Sequence, residues 1–136
     1  MKLLAILILL IIETVTGMAS AQSKKILYIP IDNRPCNLSQ TAEVAEKVGY
    51  EVITPPEEIL GFGAEENQLG KPDELWKWLN ENAAEASAAV ISTDAMIYGS
   101  LVGSRKHNLS AEEIISRAKN FEQFKKIFPY LPIYAF

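Results

Sequence analysis

The sequence predicts an α/β fold with a parallel β-sheet, and three observations lead to this prediction. Apolar segments of strand length alternate with segments of helical periodicity, in the order strand, helix, strand, helix, strand, helix, strand. The strand segments are continuously apolar rather than alternating, as expected when helices cover both faces of a sheet. Right-handed crossovers restrict the topology, so a first helix on one face and two helices on the other give the strand order 2-1-3-4. We therefore expect a three-layer, Rossmann- or flavodoxin-like sheet.

The first strand and the first helix flank a polar turn. Residues 25–31 form a strand rich in isoleucine, and residues 38–48 form a helix that Gly49 closes. Asn37 can cap this helix, with Gln40 placed to reach back to the cap. The helix face that we expect to be buried consists of Leu38, Thr41, Ala45 and Val48.

The second strand, residues 51–54, is ended by two prolines. Residues 57–71 follow and contain three glycines; loops of this length without regular structure are uncommon and often functional. A helix is predicted over residues 73–86 and a uniformly apolar strand over residues 88–93. The side chains that share one stripe of the helix over residues 73–86 are Leu75, Trp78, Leu79 and Asn82, and Trp76 lies beside this stripe.

The third helix and the fourth strand complete the series. The helix covers residues 110–128, opens with the capping box Ser110-x-x-Glu113 and ends before Pro129. Residues 131–136, with the sequence LPIYAF, begin the fourth strand. The helix face that we expect to be buried consists of Ile114, Ala118 and Phe121.

The first 21 residues have the pattern of a secretory signal peptide rather than of a folded element. A positive start at Lys2 precedes the unbroken apolar residues 3–12, and Ala19-Ser20-Ala21 is a small-x-small cleavage site. We therefore predict a signal peptide over residues 1–21, cleavage after Ala21, and a mature protein located outside the cytoplasm, either secreted or periplasmic. The alternative is an uncleaved membrane anchor, so a membrane contact is expected only through this segment.

Charge and cysteine content exclude several classes of protein. The formal net charge is −4, whereas a nucleic-acid binder needs a basic face, so no nucleic-acid partner is expected. Cys36 is the single cysteine of the chain, so it cannot form an intramolecular disulfide. We interpret it as a small apolar residue beside the turn, with a reactive thiol as the alternative.

No cofactor and no metal site are predicted. The turn after the first strand carries neither G-x-G-x-x-G nor a P-loop, which argues against a nucleotide cofactor held in the usual way. One histidine and one cysteine are a poor basis for a zinc site. Mg²⁺ held by Asp32 and Asp94 is conceivable, because Mg²⁺ needs few carboxylates.

Polar residues follow the first and the third strand, and these two positions predict a site. In parallel α/β sheets, ligands bind at the carboxyl ends of the strands where the winding direction switches, and here that point lies between strands 1 and 3. We predict that Asp32 and Asp94 are catalytic and that the other polar residues bind the substrate. The substrate-binding residues are Asn33, Arg34, Tyr98, Ser104, Arg105 and His107.

Most of these residues also have a purely structural explanation. Asp32 can end the strand and accept backbone N–H bonds, and Arg34 can pair with Asp32 or with Asp94. Asp94 can cap a short helical turn over residues 95–98. His107, the sole histidine, lies in a polar loop where exposure is commoner than catalysis. A Ser-His-Asp triad would have to use Ser100 or Ser104, and neither lies in a G-x-S-x-G elbow.

Four segments of the chain resemble the N-terminal part of the domain-of-unknown-function 4127 (DUF4127) family of bacterial proteins. The segments are ILYIPIDNRPCN, GYEVITPPEEILG, LWKWLNENA and ISTDAMIYGSLVGSRKH. The motifs that match are Pro30-x-Asp32-x-Arg34-Pro35, Thr-Pro-Pro at residues 54–56, and Ser92-x-Asp94 with Tyr98-Gly99 and Ser104-Arg105. The resemblance implies a site at these motifs without naming its reaction.

The resemblance also implies a longer protein. Members of that family are several times the length of this chain, so we expect residues 22–136 to be the N-terminal part of an α/β domain that is truncated here. The missing C-terminal part of the family fold would then be a partner of this chain, and residues that complete the site would come from it.

Two kinds of function fit the sequence. The first is a hydrolase that acts on a carbohydrate-like substrate at the carboxyl ends of strands 1 and 3, with carboxylates for acid–base chemistry and arginines for an anionic or polyhydroxylated substrate. Secretion, the tryptophan-bearing helix and the polar site favour carbohydrate. The second is a non-catalytic domain that binds a small molecule or a glycan in the same crevice. An inactive fragment of a larger enzyme is a further alternative.

Overall fold

The computed structural model of the protein describes residues 24–136. The predicted signal peptide and its cleavage site lie outside the described residues. Within residues 24–136, no helix combines the length and the apolar character needed to cross a membrane.

A parallel sheet organises the described part of the chain. Within residues 24–136 it has four strands in the order β2-β1-β3-β4, and every pairing is parallel. The predicted fold class and strand order are confirmed. Strand β1 stops two residues before the predicted end, where Pro30 has no N–H to donate to a neighbouring strand. The strands are β1 Lys25–Ile29, β2 Glu51–Ile53, β3 Ala88–Ile91 and β4 Ile133–Ala135.

The helices include the three that were predicted and two more. The α-helices of the described residues are α1 Ser39–Lys47, α2 Pro72–Asn82, α3 Thr93–Tyr98, α4 Leu101–Lys106 and α5 Ala111–Ile127. Short 3₁₀ turns occupy Glu57–Ile59, Glu66–Gln68 and Ala83–Glu85. Helices α3 and α4 lie in the segment predicted as a loop after the third strand. Each begins at a serine cap, because Ser92 Oγ accepts the N–H of Ala95 and Ser100 Oγ accepts the N–H of Gly103.

One face of the sheet carries the core. Alternate residues of β1 and β3 point to this face and are fully buried against α2 and α5. Trp76 of α2 packs edge-to-face on Phe121 of α5, with ring centroids 4.7 Å apart, and also lies against Phe124. The buried residues that meet at this face are Leu27, Ile29, Leu75, Leu79, Ala89, Ile91 and Phe124.

The opposite face of the sheet is covered thinly. Tyr28 points to it and donates its hydroxyl to the carbonyl of Asn37, just before α1. None of the residues of α1 is buried. The prediction of a buried face on this helix was wrong for Thr41 and Val48, and Val48 is 69% exposed. Beside α1 the sheet leaves an open groove of about 440 Å³, lined by Ile26, Tyr50, Ala88, Val90 and Tyr134.

Two other predicted helix faces differ from the structure. On α5, Ala118 is exposed, and the inward stripe contains Ile114, Phe121 and Phe124. On α2, Trp76 is buried, whereas Trp78 is only partly buried and packs against the core. Trp76 is therefore a core residue, and the packing of Trp78 against the core explains its position without a carbohydrate. The capping box between Ser110 and Glu113 is confirmed.

Candidate functional site

The carboxyl ends of β1 and β3 lie side by side, as the predicted switch point requires. Ile29 of β1 pairs with Ile91 of β3, and the N–H of Ser92 donates to the carbonyl of Ile29 at 2.9 Å. Asp32 follows Ile29 by three residues, and Asp94 follows Ile91 by three residues. Both acids therefore leave the sheet from the same edge, which we call the carboxyl edge.

Asp32 is a buried carboxylate whose two oxygens are fully engaged. The residue is 2% exposed. Its Oδ2 accepts hydrogen bonds from Nε and Nη2 of Arg34 at 2.9 and 2.6 Å. Its Oδ1 accepts from the backbone N–H of Arg34 at 3.1 Å and from Nδ2 of Asn37 at 2.7 Å. Four donors on one carboxylate fix the conformation of the turn after β1.

Opposing influences act on the ionisation of Asp32. Burial raises the pKa of this carboxyl group, but the hydrogen bonds from Arg34 and Asn37 and the charge of Arg34 outweigh burial and hold the pKa below its ordinary value. Asp32 is therefore ionised at neutral pH. A charged carboxylate with all its lone pairs engaged is a poor proton donor, and its geometry suits an anchor for Arg34.

The neighbours of Asp32 in the turn have different environments. The Arg34 side chain is 53% exposed, although two of its guanidinium nitrogens bind Asp32. Asn33 is partly buried and its backbone N–H donates to the carbonyl of Gly61 at 3.2 Å. Asn37 does not cap α1 as predicted, because its side-chain amide binds Asp32 instead and α1 has no side-chain cap.

Asp94, the second predicted catalytic residue, lies in the first turn of α3 and is partly buried. Within residues 24–136, its carboxylate forms neither a hydrogen bond nor an ion pair. It does not cap the helix, because Ser92 has that role. Asp94 is thus the uncommitted carboxylate of the two.

The other predicted site residues fall into two groups. Tyr98 and His107 lie together, with ring centroids 4.8 Å apart and planes inclined by 30°. Ser104 donates its hydroxyl to the carbonyl of Leu101 within α4, and Arg105 is exposed near the end of that helix. The structure therefore brings Tyr98 and His107 together and leaves Arg105 at the surface.

The serines do not support a nucleophile of the triad type. Ser100 is fully buried, donates its hydroxyl to the carbonyl of Gly63 and accepts the N–H of Gly103. Ser104 is bonded within its own helix. Both hydroxyls hold backbone segments in place, which is a structural role.

Three glycines join the loop over residues 57–71 to the end of α3, and we call them the glycine junction. The N–H of Gly70 donates to the carbonyl of Gly99 at 2.9 Å. A Cβ atom on Gly61 would lie 2.2 Å from the nitrogen of Gly70 and 2.5 Å from the oxygen of Gly99. Gly99 also has φ +84°, a conformation that other residues adopt at a cost. Backbone segments meet here at a distance that only glycine permits.

Comparison with known proteins identifies the family of this chain. A family model described as protein of unknown function (DUF4127) matches residues 26–136. The chain belongs to the DUF4127 family. The match covers the sheet, the turn after β1 and the segment after β3, and it confirms the resemblance that the motifs indicated. No curated protein and no solved structure matched the chain.

A cavity of about 400 Å³ lies beside the carboxyl edge of this DUF4127 domain. It is bounded by the loop before α2, by α4 and by the first turns of α5, and Gly70 of the glycine junction lines it. Among the predicted site residues, Tyr98 and His107 face the cavity. The polar and aromatic residues of its wall are Glu66, Tyr98, Lys106, His107, Asn108, Glu113 and Arg117.

Sequence reasoning missed Arg117 because charged residues of a helix are usually solvated. The residue is partly buried, and its Nη1 donates to the carbonyl of Ile97. A signal was present in the sequence: Arg117 lies three residues after Ile114 and four before Phe121, on the inward stripe of α5. A lone arginine on an apolar stripe indicates a specific polar partner or a cavity.

Metal binding has little support from the described side chains. Within residues 24–136, no group of three histidine, cysteine or acidic residues is arranged to hold a metal ion. Asp32 already accepts four hydrogen bonds from the protein.

Proposed function

We propose that this DUF4127 domain binds a small polar ligand, anionic or polyhydroxylated, at the carboxyl edge between β1 and β3. The observation that carries the proposal is the pair formed by Asp32 and Arg34. A buried, ionised carboxylate holds a half-exposed guanidinium at the switch point of a parallel sheet, where ligands of such sheets bind.

The arrangement of Arg34 favours binding over a purely structural pair. Nε and Nη2 are engaged by Asp32, so the plane of the guanidinium is fixed, and the side chain is still 53% exposed. A preorganised guanidinium loses little conformational entropy when it binds a carboxylate, a phosphate or vicinal hydroxyls.

A second candidate function is hydrolysis of a carbohydrate-like substrate at the same edge. The observation that favours it is Asp94, a carboxylate without a protein partner among the described residues, in the helix that follows β3, the strand beside β1. Under this proposal Asp94 takes the acid–base role and Asp32 positions Arg34, because a carboxylate with four donors is a weak base.

The proposal includes a location outside the cytoplasm, secreted or periplasmic. Its support is the apolar segment over residues 3–12 followed by Ala19-Ser20-Ala21.

The proposed binding is tested by titrating the full chain with a panel of neutral sugars, sugar acids and sugar phosphates in a calorimeter. For any member that binds, Arg34→Ala should weaken affinity by about 2–3 kcal/mol, the range of a hydrogen bond to a charged group. Lys47→Ala is the matched control, since Lys47 is exposed in the last turn of α1, at the opposite edge of the sheet. Equal affinity of Arg34→Ala and the unmodified chain would reduce Arg34 to a structural residue. Hydrolysis of a bound glycoside that Asp94→Asn abolishes would establish the second candidate.

A further inference from the structure

The cavity between the loop before α2, α4 and α5 has fixed walls. The N–H of Gly70 donates to the carbonyl of Gly99 in the glycine junction. Gly103 of α4 is packed so closely that a Cβ atom would lie 2.7 Å from the oxygen of Tyr98 and 2.8 Å from Leu69. The volume of about 400 Å³ lies within the range of about 300–1,000 Å³ that is typical of small-molecule sites. The shape of the cavity is therefore set before a ligand arrives.

The charged groups of the cavity wall are balanced in sign. Two are carboxylates, Glu66 and Glu113, and two are cations, Lys106 and Arg117. A ligand with a net charge would meet like charges as well as opposite charges on this wall, and like charges brought together cost free energy. Charged groups that lose water to a ligand still need hydrogen-bond partners. The wall therefore favours a ligand that has no net charge and several hydrogen-bonding groups.

Glu113 and Arg117 lie side by side on the wall. They are four residues apart on α5, so their side chains are neighbours on the surface of the helix. Hydrogen bonds with Ser110 lower the pKa of Glu113 from its ordinary value, burial opposes this effect, and the charge of Arg117 adds to it. Within residues 24–136, no ion pair joins the two side chains directly. A carboxylate and a guanidinium that are close but not in contact leave both groups open to a ligand.

Both side chains keep hydrogen-bonding capacity. Glu113 accepts the backbone N–H of Ser110 with one carboxylate oxygen at 2.8 Å, which leaves further lone pairs. Arg117 donates from Nη1 to the carbonyl of Ile97, which leaves further N–H groups of the guanidinium. An acceptor beside a donor matches two adjacent hydroxyl groups, because each hydroxyl both donates and accepts a hydrogen bond.

The rest of the wall suits a ring that carries such hydroxyls. Tyr98 and His107 both line the cavity, with ring centroids 4.8 Å apart and planes inclined by 30°. Aromatic side chains of this kind offer an apolar surface on which the C–H groups of a sugar ring can pack. Asn108 is exposed on the same wall and adds an amide that both donates and accepts.

We infer that this cavity is a subsite for a neutral monosaccharide unit. Glu113 and Arg117 bind two adjacent hydroxyls of the sugar, Asn108 binds another, and Tyr98 and His107 pack on its ring. The inference rests on the proposed function and narrows its ligand to the neutral, polyhydroxylated class. The residues that carry it are different from the pair that carries the proposed function.

The test uses D-glucose, D-galactose and D-mannose on the ¹⁵N-labelled full chain, followed by NMR. At least one of the three should shift the backbone signals of Gly70 and Gly103, which line the cavity, in a saturable way, while the signal of Gly49, outside the cavity, should stay in place. The corresponding uronic acid adds a negative charge to the sugar that binds, and the corresponding 2-amino sugar adds a positive charge. Each should bind at least about tenfold more weakly than the neutral sugar.

Glu113→Gln removes a charge from the wall and keeps the capping box, because glutamine can also accept the N–H of Ser110. The variant should weaken binding of the neutral sugar by about tenfold, since a hydrogen bond to a charged acceptor is lost. Glu112→Gln is the matched control. Glu112 is exposed in the same first turn of α5 but does not line the cavity, so this variant should bind like the unmodified chain.

Arg117→Gln tests the balance of charge from the other side. Cations are in excess in Glu113→Gln, so the penalty for the uronic acid should shrink, whereas carboxylates are in excess in Arg117→Gln, so the penalty for the amino sugar should shrink. If Arg117→Gln fails to fold, Glu113→Gln carries the test, because Glu113 is exposed. Three results would each overturn the inference: no binding of any of the three neutral sugars, a charged analogue that binds the unmodified chain as tightly as its neutral parent, or equal affinity of Glu113→Gln and Glu112→Gln.

Arg34→Ala separates this inference from the proposed function. If Arg34→Ala binds the neutral sugar normally and Glu113→Gln does not, the subsite stands and the role given to Arg34 fails. If Arg34→Ala loses binding and Glu113→Gln keeps it, the subsite is overturned and the proposed function stands. Weaker binding in both variants supports both, and normal binding in both variants contradicts both.

Discussion

Asp32 is the residue on which the conformation of the turn after β1 depends. It is buried, and its four hydrogen bonds come from Arg34 and Asn37. A buried carboxylate is costly unless its charge and its lone pairs are satisfied by neighbouring groups. Loss of its charge would therefore act first on the turn, and then on the position of Arg34.

Asp32→Asn should lower the free energy of unfolding at pH 7 by about 1.5–3 kcal/mol, the range for hydrogen bonds to charged groups. Burial raises the pKa of Asp32, but the bonds from Arg34 and Asn37 outweigh burial and leave the native pKa below its ordinary value of 3.8. The carboxylate thus stabilises the fold fully above that value, and this contribution is lost as the pH falls through the lower native pKa.

Urea unfolding at a series of pH values measures this effect. The difference between the unmodified chain and Asp32→Asn should shrink as the pH falls below the ordinary value of 3.8 and through the lower native pKa. Asp73→Asn is the control, because Asp73 is exposed in the first turn of α2 and should change stability by no more than about 0.5 kcal/mol. A difference that stays constant down to the lowest pH would show that the charge of Asp32 is not what stabilises the turn.

At the scale of elements, α5 joins the core to the cavity. Its inward stripe carries Phe121 and Phe124 towards Trp76, while Arg117, one turn earlier, faces the cavity. The same helix therefore fixes the position of Arg117 on the cavity wall by packing aromatic rings against α2. This is how the core positions the site.

Phe124→Ala should destabilise the protein by about 3–5 kcal/mol, because the side chain is 1% exposed and a cavity would remain in its place. Ile115→Ala on the same helix is the matched control: Ile115 is 54% exposed and should cost no more than about 0.5 kcal/mol. Denaturant unfolding of both variants gives the comparison. Similar losses in the two variants would contradict the assignment of the inward stripe.

The helices and their caps also show which features can be predicted from the sequence and which cannot. The capping box of α5 and the three longer helices follow from local patterns and were predicted correctly. Helices α3 and α4 have six residues each, and their serine caps resemble ordinary loop residues, so the segment after β3 was interpreted as a loop with a short helical turn over residues 95–98 as the alternative. Asn37 was predicted as a helix cap because the sequence does not reveal that Asp32 lies within its reach.

At the scale of the whole molecule, the strand order was predictable because crossover handedness leaves few topologies for alternating strands and helices. The adjacency of the ends of β1 and β3 follows from that order. The cavity could not be predicted from the strand order, because it depends on how the loop over residues 57–71 packs against α4 and α5. Such long-range packing leaves little trace in local sequence patterns.

The two faces of the sheet should differ in local stability. β1 and β3 are central and each pairs with two strands, whereas β2 is an edge strand and α1 buries none of its residues. Local opening of α1 should therefore require less free energy than opening of the central strands. Hydrogen exchange followed by mass spectrometry should show amides of α1 exchanging at least about tenfold faster than those of β1 and β3.

Helix α2 is the internal control for this measurement. It has a similar length to α1 but buries Leu75, Trp76 and Leu79, so its amides should exchange as slowly as those of the central strands. Equal protection in α1 and α2 would show that the thinly covered face is as stable as the core face.

The glycine junction has a consequence for anyone who redesigns this domain. Gly61, Gly70 and Gly99 meet backbone to backbone, so even one added methyl group collides with main-chain atoms that cannot rotate away. Redesign of the proposed site should therefore change exposed side chains such as Arg34. The backbone conformation at the glycine junction has to be kept, so mutant libraries of this domain should leave the codons of these three glycines unchanged.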